Sequence, residues 1–237
     1  MSNQKLTTTA LTLLLVGLLT SNCRQPEGKA ADRGITQGTI IYNITYPQNI
    51  SSNGMSFLFP TEMKINFSER NQRATFKSNL NLYNLEFIHQ NECDSFFTLL
   101  KILEKRVYVP SDKESTLFLF NGASKQNIKL SDEEPRVIAG FNCHKATYIP
   151  NNPNYPNLNI WYTNEIGIED PNRNTPFGMI PGLMLEFEIV YQNIIFHLKA
   201  ETIIEESHPD EIFEIPAGYQ PTTIEEIETL IKSVMNA

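Results

Sequence analysis

Two pairs of histidine and cysteine residues could supply metal or thiol chemistry. His89 and Cys93 stand four residues apart, and Cys143 is followed directly by His144. Structural zinc sites usually have paired Cys-x₂₋₄-Cys or His-x₃₋₅-His spacings, whereas here one pair is mixed and the other consists of neighbours. Neighbouring side chains on a strand point to opposite faces, so Cys143 and His144 could not hold one ion together. We therefore predict no metal site and no cofactor.

Glu188 and His197 are a second candidate pair, since a carboxylate and an imidazole can act together in acid–base catalysis. They face one another if the chain turns back between them at Gln192-Asn193. No nucleophile or oxyanion donor is placed beside them. The chain also contains no Gly-x-Ser-x-Gly, His-Glu-x-x-His or Gly-rich phosphate-binding motif. A solvated cross-strand pair is the favoured interpretation, and we predict that the protein is not an enzyme.

The N-terminus has the features of a targeting segment. Residues 1–22 contain no acidic residue and have an apolar run from Ala10 to Leu19, which is too short to cross a membrane. We interpret residues 1–22 as a secretory signal peptide and Cys23 as the acylated cysteine of a bacterial lipoprotein. Residues 23–38, rich in glycine and charge, would form the lipidated tether. The alternative is a plain secreted protein that is cleaved nearby.

Export determines how the other two cysteines are interpreted. Cys93 and Cys143 are the only cysteines left after Cys23, and they form an even pair in an oxidising compartment. This favours a disulfide over two buried free thiols. The sequence does not give the distance between them, so both alternatives stay open.

The body of the chain, residues 39–237, alternates apolar and polar residues as half-buried strands do. The clearest stretch runs from Leu183 to Tyr191, turns at Gln192-Asn193 and returns. In this register apolar residues face apolar residues on one side of the hairpin, and acidic residues face Lys or His on the other side. Both faces therefore require the same pairing. The predicted cross-strand pairs are Ile189 with Phe196, Phe187 with Leu198, Glu186 with Lys199, and Glu188 with His197.

Eight or more such strands predict a mainly β fold, a single domain built as a large curved antiparallel sheet or open half-barrel. Thr116 to Phe120 followed by Asn121-Gly122 predicts a hairpin, and Gly140 inside a strand pattern predicts a bulge or bend. After Pro221, Thr222 and Glu225 predict a capping box. The helix that it begins, over residues 222–236, has one apolar face and should pack on the sheet.

Composition limits the partners of this domain. The 237 residues are 41% hydrophobic and 19% charged, which is ordinary for a globular protein with a sizeable core. The formal net charge is −8, and no run of lysine and arginine appears. Nucleic acid is therefore excluded as an expected partner, and so is docking to anionic lipid through a polybasic patch.

Three spaced segments in the second half of the chain carry a family resemblance. Residues 179–184 (Met-Ile-Pro-Gly-Leu-Met), with Glu186 after them, are similar to a Gly-Leu-Pro-Gly-Leu-Ile box, of which Pro181, Gly182 and Leu183 match. Residues 138–146 are similar to a Gly-Tyr-x-Cys-x-Lys-Ala box, and residues 161–166 to a Trp-Tyr-Thr-x-Glu-Ile strand. On these segments the chain resembles the GLPGLI family of exported proteins of Gram-negative bacteria. The resemblance implies an envelope location and a fold similar to the lipoprotein-carrier half-barrels, and it implies no reaction.

Aromatic residues near two Pro- and Asn-rich loops are the candidate rim of a ligand site. Trp161 and Tyr162 lie on one predicted strand, and Tyr155 lies in the loop before it. Aromatic side chains framed by stiff loops suit the capture of an apolar ligand or a peptide. The equally weighted alternative is that Trp161 is an ordinary core residue.

Taken together, these features predict a non-enzymatic, lipid-anchored protein of the cell envelope. It would be held at the outer membrane by its acyl chains and would bind an apolar ligand, a lipid or a partner protein on its curved sheet. One alternative is an envelope hydrolase or maturation factor that uses His144, Glu165 and His197. Another is a structural or assembly subunit that pairs with a second chain through its sheet edge.

Overall fold

The computed structural model describes residues 34–47, 58–78, 81–91, 94–112, 115–120, 127–151 and 156–235. The predicted signal peptide and Cys23 lie outside these ranges, as do Cys93, Tyr155 and the Asn121-Gly122 turn. The last residues of the predicted tether lie within them. Ile35 forms a parallel bridge with Ile166, so this end of the tether packs on the domain.

The alternating pattern folds into thirteen strands within the described ranges, followed by one helix. The strands are β1 (Gly38–Thr45), β2 (Pro60–Phe67), β3 (Asn71–Ser78), β4 (Tyr83–Gln90), β5 (Ser95–Ile102), β6 (Lys105–Ser111), β7 (Ile128–Leu130), β8 (Arg136–Ile138), β9 (Phe141–Tyr148), β10 (Leu158–Thr163), β11 (Leu183–Tyr191), β12 (Ile194–Glu205) and β13 (Gln220–Pro221). The helix, α1, spans Ile224–Met235. No helix in the described part of the chain is long and apolar enough to cross a membrane.

The strands form one large open, curved sheet. Its order is β13-β6-β5-β4-β3-β2-β1-β12-β11-β10-β9-β7, and β8 pairs with β9. Every neighbouring pair is antiparallel except the short β13–β6 pair, which is parallel. The predicted fold class, a mainly β protein with a large curved antiparallel sheet and a C-terminal helix, is confirmed.

The hairpin of β11 and β12 has the predicted register. Glu186 faces Lys199, Phe187 faces Leu198, Glu188 faces His197, and Ile189 faces Phe196. Gln192 and Asn193 both have positive φ values, 50° and 65°, as the two central residues of a type I′ turn require. The apolar face of β11 is buried along its whole length. The two-residue period of apolar residues in the sequence therefore agrees with the burial in the structure.

One of the local predictions is wrong, and another is correct only in part. Residues 116–120 do not form a hairpin strand; Phe118–Phe120 is a single 3₁₀ turn. Its backbone is held by the loop after β10, since the Leu117 N–H donates to Asn174 O at 2.8 Å. Apolar side chains project from both sides of this segment into the core, whereas a half-buried strand would bury only one side. Gly140 lies at a bend, as predicted, and not at a bulge: Ala139 and Gly140 have φ values of 47° and 92° and form the turn between β8 and β9.

The helix begins one residue later than the predicted capping box. The Glu226 N–H donates to Thr223 Oγ1 at 3.3 Å, and the Ile227 N–H donates to Thr223 O at 3.2 Å. Thr223 is therefore the N-cap. Thr222, the predicted cap, donates its hydroxyl hydrogen to the Glu226 carboxylate instead.

The core lies on the concave side of the sheet. Inward-facing side chains of the strands meet Ile227 and Ile231 of α1, which are almost completely buried. The convex side carries residues 206–214, which cross it as a strap. The strap is fixed by a hydrogen bond from His208 Nε2 to Gly38 O at 3.0 Å and by the burial of Phe213. It continues to β13 at the far edge, and from there the chain turns into α1.

Candidate ligand site

An apolar cavity of about 100 Å³ lies between the concave face and the segments that cover it. Its floor consists of inward side chains from β1 to β5 and from β11. Its cover consists of Leu117, Leu119 and Phe120, in and beside the 3₁₀ turn, and of the loop residues 171–173 and 175. The floor includes Tyr42, Met63, Ala74, Phe76, Phe87 and Phe187.

Strand periodicity explains why these side chains meet. On β3, Gln72, Ala74 and Phe76 share the concave face, and Phe87 and His89 of β4 lie on the same face. Most of the residues that line the cavity are large, but Ala74 is small. The short side chain at this position leaves room between its aromatic neighbours.

A second cavity of about 40 Å³ lies next to the first one. Phe76, Leu119 and Ile189 line both cavities. Ile231 of α1 lines only the second. The side chain of Leu119 therefore stands between two apolar spaces, and α1 bounds the space that lies beyond it.

One end of the larger cavity is polar and is built around His89, which is 3% exposed. Arg173 Nη1 lies 3.3 Å from His89 Nε2, and because arginine only donates, Nε2 accepts and the ring is neutral. Burial first, and the charge of Arg173 second, lower the pKa of His89, which is about 4. Asp170 and Asp94 act in the opposite direction.

The charge of Arg173 is balanced by acidic side chains of its own surroundings. Its guanidinium forms an ion pair with Asp94, and its Nε lies 3.9 Å from Asp170 Oδ2. Nη1 also donates to Asn91 Oδ1 at 3.0 Å. These contacts join the loop after β10 to the turn between β4 and β5, and they hold the cover of the cavity in place.

The predicted rim residues lie elsewhere. Trp161 is half-buried on β10, with the guanidinium carbon of Arg136 4.0 Å from the centre of its ring. Tyr162 is buried and pairs with Met184 and His144 across the sheet. Neither lines either apolar cavity. Tyr155 is outside the described residues.

The residues of the family box play structural parts at the start of β11. Pro181 is exposed, whereas Gly182 and Leu183 are buried. Asn172 donates from Nδ2 to Ile180 O at 3.0 Å and to Gly182 O at 2.8 Å, which fixes the turn into the strand.

Glu186 lies further along β11, in a group of charged side chains. It forms an ion pair with Arg136 at 2.5 Å, and its carboxylate lies 3.6 Å from Lys199 Nζ. His197 Nε2 is 3.4 Å from Glu186 Oε1, and Nδ1 is 3.5 Å from Glu188 Oε1. The predicted Glu188–His197 pair therefore exists as part of a cross-strand ionic group.

The residues of the hydrolase hypothesis are not brought together. Glu165 accepts a hydrogen bond from Asn142 at 2.8 Å, and His144 packs against the ring of Tyr162. His197 lies between Glu186 and Glu188. No hydrogen bond joins any two of the three, all of which the structure describes. Among the residues with described positions, no three His, Cys, Asp or Glu side chains are grouped as metal ligands would be.

Cys143 is completely buried on β9 and is a free thiol. Whether it pairs with Cys93 stays a prediction. Burial raises the pKa of Cys143 to about 11, so the thiolate is scarcely formed at neutral pH. Cys93 lies outside the described residues.

The comparisons with known proteins bear on the fold. No protein-family model matches the chain, and no curated protein matches it. Among solved structures, PNGF-II aligns with 84% of the chain at a TM-score of 0.52 and 13% sequence identity. The likeness is one of fold alone. The chain spans only about a third of PNGF-II, 33% of its length.

Two further solved structures align more loosely. The Mycobacterium tuberculosis lipoprotein LppX gives a TM-score of 0.33 and 13% identity over 74% of this chain and 90% of its own. MucB gives a TM-score of 0.32 and 10% identity over 79% of this chain and 59% of its own. Likenesses at these TM-scores are too distant to indicate a shared function.

Proposed function

We propose that this chain is a non-enzymatic, lipid-anchored protein of the cell envelope that binds an apolar ligand on the concave face of its sheet. The observation that carries the proposal is the apolar cavity, whose cover is a loop and a single 3₁₀ turn. Sites for small molecules are concave and mostly apolar, with a few polar groups at fixed positions. The cavity with His89 and Arg173 at one end has this composition.

The size of the cavity limits what the closed form can hold. Sites for drug-sized ligands enclose roughly 300–1,000 Å³, and an engineered apolar cavity of about 150 Å³ in another protein binds benzene. At about 100 Å³, the closed cavity is smaller than that benzene site. A ligand with an aromatic ring or a longer chain therefore has to displace Leu119 and so join the two cavities.

Displacement of the cover breaks few backbone contacts. Leu117 donates its N–H to Asn174 O, and Asn174 Nδ2 donates to Ser115 O at 2.7 Å and to Asp112 O at 3.2 Å. No strand of the sheet pairs with residues 115–120. The segment can therefore move while the main sheet keeps its hydrogen bonds.

The variant Ala74→Leu should weaken binding of an apolar probe by at least about tenfold, because the added carbons occupy the cavity. Toluene is a suitable probe, and its affinity can be measured from methyl chemical-shift changes on titration. Thr75→Leu is the matched control, since Thr75 follows on the same strand and faces the convex side. Equal affinities of the wild type and Ala74→Leu would show that toluene binds elsewhere.

The anchor is the second part of the proposal, and it is supported by the short apolar run before Cys23. The full chain produced in a Gram-negative host should begin at Cys23 and carry acyl chains, which intact-mass spectrometry would detect. Cys23→Ser should leave the chain without them and release it from membranes. Cys93→Ser is the control and should remain anchored. A mature N-terminus without an acyl group would refute the anchor and leave the ligand site untouched.

Membership in the GLPGLI family is a further part of the proposal. The three similar segments include parts of β9, β10 and β11, which are adjacent in the sheet, so the resemblance concerns one continuous region. Assembly through a sheet edge receives less support. The outermost strands, β13 and β7, have two and three residues, and short edge strands disfavour pairing with another chain.

A further inference from the structure

Asn172 lines the apolar cavity with a side chain that is 2% exposed. Its Oδ1 has no hydrogen-bond partner among the described residues. Its Nδ2 is fully used, since it donates to the carbonyl oxygens of Ile180 and Gly182. Turning the amide round would place Oδ1 against these two oxygens, so the orientation is fixed by chemistry. The unpaired atom is therefore a hydrogen-bond acceptor.

A buried acceptor without a donor is unfavourable, and native proteins keep few of them. Asn172 cannot move away, because its amide nitrogen holds the turn that leads into β11. Oδ1 is closed off in the covered form, so a donor reaches it only when the covering segment is displaced, and it would then satisfy Oδ1 without disturbing this turn. The apolar walls would hold the rest of the same molecule.

The charges around this end of the cavity decide what kind of donor fits. Among the described residues that line the cavity, Arg173 is the one lysine or arginine, and it is already paired with Asp94 and close to Asp170. His89 is neutral because its Nε2 accepts from Arg173. Arg173, His89 and the two aspartates together carry one positive and two negative charges. They therefore offer no excess positive charge to an anion.

We propose that the ligand is a neutral amphipathic molecule whose hydroxyl or amide group donates a hydrogen bond to Asn172 Oδ1 while its apolar part fills the cavity. This inference rests on the proposed function and narrows it to a ligand class. It excludes ligands that end in a carboxylate or a phosphate, and it disfavours hydrocarbons that lack a donor.

Benzyl alcohol and anisole are suitable probes, because they are isomers of nearly equal size and only the alcohol can donate a hydrogen bond. Toluene serves as the purely apolar probe and benzoate as the anionic one. In a cavity without an acceptor, anisole should bind more tightly, since the alcohol loses its hydrogen bonds to water. With Asn172 Oδ1 as acceptor, benzyl alcohol should bind about three- to tenfold more tightly than anisole.

Affinities would be measured by NMR titration of the purified, detergent-free chain. The side-chain amide signal of Asn172 should shift with benzyl alcohol and remain in place with anisole. Asn172→Leu should abolish the preference for the alcohol. If this variant does not fold, the inference is tested on the wild type alone. The tests are then whether benzyl alcohol binds more tightly than anisole and whether the Asn172 amide signal shifts.

The outcomes separate this inference from the proposed function. If toluene and anisole bind but benzyl alcohol binds no more tightly than anisole, Oδ1 is not the acceptor and only the inference fails. Tighter binding of benzoate than of benzyl alcohol would also refute the inference alone, since it would show an anion site. If none of the four probes binds, the apolar site itself is refuted, and the inference with it.

Discussion

Replacing Gly182 by alanine is expected to lower the free energy of unfolding by about 3 kcal/mol, the upper end of the usual range for overpacking. A Cβ atom on this residue would lie 2.2 Å from Thr163 O and 2.5 Å from Asn164 Oδ1. Thr163 pairs with Leu183 across β10 and β11, so its carbonyl group cannot retreat without disturbing that pairing. The glycine of the family box is therefore explained by the close approach of two backbones.

The measurement is equilibrium unfolding in urea, and Gly178→Ala is the matched control. Gly178 lies in the same loop, and a Cβ atom there would meet its nearest neighbours, Asn172 O and Thr175 O, at 4.0 Å. The control should change the free energy of unfolding by no more than about 0.5 kcal/mol. Similar losses in the two variants would mean that the contact with Thr163 is not the cause.

Lowering the pH from about 6.5 to about 4 should cost the protein roughly 3 kcal/mol of stability through His89 alone. The pKa of His89 falls from 6.5 to about 4 in the folded state, mainly through burial. As the pH falls, the unfolded chain therefore takes up this proton before the folded chain does. Stability is lost across the window between the two values, and this loss is complete below the lower one.

Carboxylates also titrate in this window, so the contribution of His89 has to be measured by difference. Between pH 6.5 and pH 4, the unfolding free energy of His89→Gln should fall by less than that of the wild type. The difference between the two falls should be most of the roughly 3 kcal/mol assigned to His89. His144→Gln is the control, because it makes the same substitution at an exposed position. If the wild-type and His89→Gln profiles run parallel, His89 has no lowered pKa in the folded protein.

Strand register could be predicted where two independent patterns agreed. In the β11–β12 hairpin, apolar pairs on one face and charged pairs on the other required the same turn at Gln192-Asn193. The same reasoning failed for residues 116–120, because the apolar residues before Asn121-Gly122 resemble a strand locally. Their structure is decided by a contact with Asn174, more than fifty residues later, which no local pattern reports.

Only part of the candidate site could be predicted from the sequence. His89 attracted attention in the sequence as a metal ligand, yet its partners in the fold are Arg173 and Gln72. Arg173 and Asn172 lie in a Pro- and Asn-rich stretch, a composition that predicts a loop and nothing about its contacts. The small residue that gives the cavity its room, Ala74, is ordinary in a strand. A site whose residues come from the middle of strands and from distant loops has no characteristic residue spacing in the sequence.

The path of the chain over the convex face joins the two sides of the sheet around one edge. Residues 206–214 lie on the outside, β13 pairs with β6 at the edge, and α1 lies on the inside, where Ile231 lines the smaller cavity. The strap is attached to the sheet by its own contacts, such as the one from His208 to Gly38. Detachment of the helix would therefore open the smaller cavity while the strap and the β13–β6 pair stay in place.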